Sequence, residues 1–151
     1  QAPKRKILND PKFASPVVAK FINYVMERGK KATAQKIVYT AFDILTEKTK
    51  KPALDVFNEA MNNVSPLLEV KSKRVGGANY QIPMQVRAER RQQLAFRWIL
   101  TAARSKKGKP MAIKLANELL AAAESQGDAI KKKQDVQRMA EANRAFAHFA
   151  R

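Results

Sequence analysis

The sequence has 151 residues, 45% of them apolar, which suits one domain able to bury its own core and excludes a wholly disordered chain. No apolar run approaches the ~18 residues of a membrane span, and zero cysteines exclude disulfides, thiol catalysis and thiolate metal sites, as fits a reducing cytosol. Thirty Lys and Arg against thirteen Asp and Glu give a net charge of +17, an excess that repels itself and suits a polyanionic partner.

Residues 1–14 read as a basic N-terminal extension, and Gln1 to Lys6 is basic with no apolar stretch behind it, so no secretory leader is expected. Ser15-Pro16 reads as an N-cap and first helical position. Val17, Phe21 and Val25 beside Val18, Ile22 and Met26 make one apolar stripe, with Gly29 as the stop. A second helix over about 32–48 places Ala34, Ile37, Val38, Ala41, Ile44 and Leu45 on one side. Pro52 starts a third, with Leu54, Phe57, Met61 and Val64 inward and Ser65-Pro66 at its end.

The period then changes. Tyr80, Ile82, Met84 and Val86 alternate with Asn79, Gln81, Pro83 and Gln85, and Leu68, Val70, Ser72 and Arg74 alternate with Glu69, Lys71 and Lys73. Gly76-Gly77 between the runs supplies a turn that needs positive φ. This predicts a β-hairpin over 67–87, its base packed on the helices and its basic tip ordered by a partner. Pro83 bars the second strand from a central position. Helices resume at about 89–104, with Leu94, Trp98, Ile99 and Ala102 buried, and at 110–126, with Ala112, Leu115, Ala116, Leu119, Leu120 and Ala123 inward. The last covers 130–148, with Val136, Met139, Ala140, Asn143 and Ala147 on one stripe. The fold class is mainly α: six helices in a single domain, with a protruding β-hairpin arm between helices three and four.

Charge is unevenly placed. Residues 1–31 carry a net +6, residues 32–68 none, residues 69–110 a net +9 and residues 111–151 a net +2. Concentration of this kind points to a basic face. Arg90, Gln93, Arg97 and Arg104 fall on one helical stripe without an acid of its own, and the Arg fork matches phosphate oxygens. Lys106, Lys107 and Lys109 extend the patch. The arm adds Lys71, Lys73, Arg74 and Arg87, with Tyr80 placed either to stack on a base or to sit in the core at the arm's base. Lys4-Arg5-Lys6, Lys30-Lys31 and Lys131-Lys132-Lys133 are short basic runs, each weak alone.

Enzyme readings fail. Gly29-Lys30 has Tyr24 where a phosphate loop needs its first Gly, and Lys31 where it needs Ser or Thr. His148 is the single histidine, so no histidine triad or histidine metal site is available, and Asp43 with Glu47 reads as a pair of surface acids. No cofactor is expected.

Several stretches together carry a resemblance: Lys20-Phe21-Ile22-Asn23 through Gly29-Lys30-Lys31, Lys36-Ile37-Val38-Tyr39, Glu69 through Gly77, Arg97-Trp98-Ile99, Leu115 through Leu119, Met139 through Asn143, and Ala145 through His148. In these the chain resembles the bacterial form of the small-subunit ribosomal protein seven family, over nearly its whole length. The resemblance implies a non-enzymatic protein of the cytoplasmic ribosome that binds the 3′ major domain of 16S ribosomal RNA and organises assembly of the subunit head. It implies RNA-facing roles for Lys4, Arg5, Lys6, Lys30, Lys31, Lys71, Lys73, Arg74, Arg90, Arg91 and Arg97. It also implies a hairpin near exit-site tRNA and messenger RNA, and contact with ribosomal protein eleven; no homo-oligomer is expected. The family usually carries a few more basic residues ahead of the position of Gln1. Two other classes compete on the residues alone. A DNA-architectural protein would use the basic arm in a minor groove, but Val75-Gly76-Gly77-Ala78 is a poor wedge. A peripheral membrane protein would need an apolar helix face that the core already uses.

Overall fold

A computed structural model describes residues 3–150. Six helices, α1 (Pro16–Val25), α2 (Lys31–Thr49), α3 (Ala53–Val64), α4 (Ala88–Ser105), α5 (Met111–Ala123) and α6 (Asp128–Ala142), are interrupted between α3 and α4 by an antiparallel hairpin of β1 (Leu68–Val75) and β2 (Ala78–Gln85). A 3₁₀ segment, Arg144–Ala150, follows α6. Among the described residues no helix is long and apolar enough to cross a membrane. Ser15 caps α1 as its sequence requires, its hydroxyl accepting from the Val18 amide at 3.3 Å with Pro16 next in line.

The interior is built on aromatic rings. Phe21 of α1 lies 5.1 Å from Phe57 of α3 and 5.2 Å from Phe96 of α4, ring centre to ring centre. Phe42 of α2 continues the seam to Phe57 at 5.2 Å and Phe13 to Phe42 at 5.1 Å. All of these except Phe13 are fully buried. Tilted and edge-on rings at these separations contribute beyond their buried area. Phe42 and Phe96 lie outside the sequence-read stripes because α2 and α4 are clasped on more than one side, so their buried arcs are wider than one stripe.

Four helix boundaries differ from the periodicity. α1 stops at Val25, and Gly29 (φ 73°) with Arg28 (φ 55°) instead turns the loop into α2. α5 stops at Ala123, because Ser125 takes the left-handed position and the Gln126 amide donates back to the Ala121 carbonyl at 2.8 Å. The predicted 130–148 helix starts earlier, at Asp128, and breaks at Asn143, whose side-chain amide donates to the Met139 carbonyl at 2.8 Å. Met139 is therefore 54% exposed rather than inward, and Ala147 also faces solvent.

Every strand of a two-stranded sheet is an edge, so Pro83, opposite Val70, leaves no partner unsatisfied. Directly opposed residues share a face. Lys71 with Ile82 and Lys73 with Tyr80 lie on one side; Ser72 with Gln81 and Arg74 with Asn79 lie on the other, where Gln81 donates to Ser72 at 2.9 Å. β1 packs on α6 and β2 on the 3₁₀ segment. Tyr80 stands 5.1 Å from Phe146, so it is packed on this chain rather than held open for a base.

Two buried carboxylates fix the ends. Asp10 is 3% exposed and accepts from the Lys12 and Phe13 amides at 3.0 and 2.8 Å and from the Tyr39 hydroxyl at 2.6 Å. Burial, then the Asp10 bond and charge, pushes the Tyr39 hydroxyl up to about 12, so it stays a donor. Tyr39→Phe should lower stability by about 1–3 kcal/mol by stripping a buried acceptor. Hydrogen exchange should speed at the Phe13 amide, marking release of the N-terminal strap.

Glu118 of α5 is 5% exposed and accepts from the Ala129 amide at 3.0 Å, capping α6. Gly127 opens that helix at φ 94°, where a Cβ would lie 2.9 Å from Glu118 Oε1. Burial pushes the Glu118 carboxyl above its ordinary 4.5. In the window just above pH 4.5 the folded state therefore holds a proton that the unfolded state has lost, so this contribution to stability falls as pH rises. Glu118→Gln keeps the acceptor and should flatten that slope in pH-dependent thermal unfolding. Glu118→Ala should cost about 1–3 kcal/mol, since it leaves the Ala129 amide orphaned.

Candidate nucleic-acid interface

α1 and α4 run side by side in the same direction. Pro16 and Val17 at the start of α1, with Lys20 midway along it, border a cavity with Gln92 near the start of α4, and Glu27 just past α1 meets Arg104 at the end of α4. The N-terminal strap, pinned by Asp10, crosses the starting end, where Lys4 Nζ bonds both Glu89 oxygens at 2.7 and 3.0 Å. That bond and the Lys4 charge hold the Glu89 carboxyl below its ordinary value. Arg5 and Lys6 share a cavity of about 360 Å³ with Lys31 and the amide side chains of Asn23 and Gln35. Lys30 passes to a second cavity, of about 470 Å³, with Arg28 and Arg104. The strap and the α1–α2 loop thus carry their cations around two cavities joined through the neighbouring Lys30 and Lys31, and Arg104 brings the end of α4 to the second.

Carboxylates touch this surface from neighbouring elements. The stripe read on α4 bears no acid of its own, yet Arg90 meets Glu69 of the arm at 3.5 Å and Arg104 meets Glu27 at 3.6 Å. Lys106 meets Asp128 at 2.8 Å; the pair lowers the Asp128 carboxyl and raises the Lys106 amine. Arg97, midway along α4, is exposed and has no carboxylate within 4.0 Å among the described residues. The same holds for Arg5, Lys6, Lys30, Lys31, Lys71, Arg74, Arg87, Lys107 and Lys109, and half-buried Arg91 likewise has no carboxylate within 4.0 Å among the described residues.

Not every predicted cation joins the main surface. Lys106, Lys107 and Lys109 ring a separate cavity of about 430 Å³ with Lys114, against the start of α6. Arg91 points away from the Arg97 side into a groove of about 840 Å³ at the arm's base, opposite Arg138. Lys71, Lys73 and Arg74 are exposed along the arm, with Lys73 on the Tyr80 face and Arg74 on the other. Arg87 stands exposed at the joint of arm and α4. Sequence reading passed over Lys20, Arg28, Lys114 and Arg138. A signal existed for Lys20, which is polar beside the apolar Val18–Ile22 stripe, and for Arg28, which precedes a turn glycine.

The sequence pattern of the family described as ribosomal protein S7p/S5e matches residues 1–144. The chain is 60% identical over 149 residues to small ribosomal subunit protein uS7 of Thermotoga maritima, covering 99% of this chain and 96% of that protein. It is 58% identical over 146 residues to the uS7 protein of Saccharophagus degradans, covering 97% and 94%. It is 54% identical over 149 residues to that of Desulfatibacillum aliphaticivorans, covering 99% and 96%. A basic, mainly helical chain with this arm and this likeness belongs to the ribosomal protein S7p/S5e family, whose members are structural proteins and not enzymes.

Proposed function

We propose that this chain is a structural protein of the small ribosomal subunit that binds the 3′ major domain of 16S ribosomal RNA and organises folding of the subunit head in the cytoplasm. The observation that carries this reading is the cluster of unpaired Arg5, Lys6 and Lys31 around Asn23 and Gln35, with Lys30 at the adjoining cavity and unpaired Arg97 exposed on α4. A-form RNA hides its base edges in a deep groove, so recognition rests on phosphates, 2′-hydroxyls and a few unpaired bases. Fixed cations meet the phosphates and Asn23, Gln35 and Gln92 are placed for hydroxyls or bases. Lys4, Arg90, Arg104 and Lys106 share their charge with a carboxylate, so each releases fewer counterions than an unpaired cation. The arm, with Lys71, Lys73, Arg74 and Arg87, reaches toward exit-site tRNA and messenger RNA, and the chain as a whole has ribosomal protein eleven as a protein neighbour.

Titration against a 16S fragment at several salt concentrations tests the RNA face. Arg97→Ala should lower the salt slope by about 0.7–0.9, one phosphate contact. Arg90→Ala should change the slope less. It should instead lower the unfolding midpoint by about 2–4 °C, the size of about 1 kcal/mol in a chain of this length, because Glu69 loses its partner at the arm's base. Equal slopes for Arg97→Ala and the unsubstituted chain would sink the α4 face.

The arm has its own test. Replacing residues 74–79 by a two-residue turn spares Tyr80 and the packed base. Free protein should then bind the 16S fragment within about twofold, since only Arg74 is lost among the cations. Ribosomes carrying the shortened arm should retain exit-site tRNA less well in filter binding.

A further inference from the structure

The cavity of about 470 Å³ between the α1–α2 loop, the first turns of α2 and the end of α4 differs in kind from the rest of the basic surface. Its floor is apolar: Ala34 is buried, and Ile37 and Met111 are half-buried with their remaining surface open to the cavity. Its rim is cationic: Arg28, Lys30 and Arg104 border it, with Glu27 the one carboxylate, 3.6 Å from Arg104. The volume lies inside the roughly 300–1,000 Å³ of small-ligand sites.

We infer that this cavity seats one unstacked nucleotide of the bound RNA, its base on the Ile37–Met111 floor and its phosphate against Arg28 and Lys30. The inference rests on the ribosomal-RNA reading above and adds to it a base-sized site. A bare phosphate needs donors around it, and the floor offers none. An apolar side chain from a protein has no use for a rim of three cations against one acid. A nucleotide has both surfaces, an aromatic face and an anion, in one unit. Arg28 is held at φ 55° beside Gly29 at φ 73°, a left-handed pair that brings Arg28 and Lys30 to the same rim. Left-handed backbone at a non-glycine residue costs free energy and persists where the surroundings impose it.

Two variants separate base from phosphate. Thr33 is exposed at the rim in the first turn of α2, so Thr33→Trp plugs the cavity without entering the core. Arg28→Gly removes a cation at a backbone angle that glycine accepts freely. Each is titrated with a 16S 3′ major domain fragment at two salt concentrations, with thermal unfolding alongside. Thr33→Trp should weaken binding about tenfold or more at both salts with its slope unchanged, at the low end of what losing one seated base costs. Arg28→Gly should lower the slope by about 0.7, a single-strand phosphate contact. Thr33→Trp binding as well as or better than the unsubstituted chain would overturn the inference, leaving a rim that reads phosphates alone. Should Thr33→Trp unfold, Thr33→Leu is the smaller plug held to the same comparison. Failure of the unsubstituted chain to bind would overturn the ribosomal-RNA reading itself, and this occupant with it.

Discussion

Mutual repulsion among the surface cations is the constraint that the rest of this molecule answers. A net charge of +17 on 151 residues pushes the basic elements apart, and the apolar core itself offers no charge to answer it. The aromatic seam does the opposing work. Phe21 touches Phe57 and Phe96, so one ring ties α1 to α3 and α4, while Phe42 and Phe13 carry the contact to α2 and the strap. Apolar burial and ring packing involve no charge that salt or a polyanion could screen, so the scaffold keeps its shape whether its cations face water or polyanion.

The acids on the basic side stand at joints. Glu89 ties the strap to α4, Glu69 the arm to α4, Glu27 the α1–α2 loop to α4, and Asp128 the α4–α5 loop to α6. Each pair joins elements distant in sequence, and three of the four converge on α4. Exposed pairs contribute little energy singly. Their consequence is geometric: they set where one element meets the next and leave the cations between the joints, Arg97 and Lys31 among them, without a local partner. A pair at a joint also reconciles cationic elements that would otherwise repel at close approach.

Much of this was legible in the sequence. The change from a period of 3.6 to a period of 2 at Leu68 located the hairpin, and Ser15-Pro16 located the start of α1. Helix ends were less legible, because each is decided by a contact that no single-helix pattern contains. Asn143 ends α6 through its own side-chain bond, and the segment beyond turns to set Phe146 against Tyr80. The cationic stripe on α4 was visible as a stripe, but its ion pairs come from Glu69 and Glu27, in other elements. Arg28 escaped notice for the same reason: its place beside Arg104 follows from the α1–α2 turn and not from any spacing along the chain. Periodicity reports which way a residue faces on its own element, while a site is made where faces of different elements meet.

A two-stranded hairpin alone is marginal in water, so its order must be lent. The lenders lie on one face: Ile82 is buried, Tyr80 packs on Phe146, and Glu69 reaches Arg90. The other face, with Ser72, Arg74, Asn79 and Gln81, is polar and open. Gly76 and Gly77, at φ 58° and 84°, close the tip with open space where a Cβ would be. Order therefore decreases from base to tip: the Ser72–Arg74 face is open near the tip, and on the packed face Lys71 and Lys73 still reach solvent beside Ile82 and Tyr80. The outer half of the ribbon thus presents cations on both faces, and the helices hold only its base.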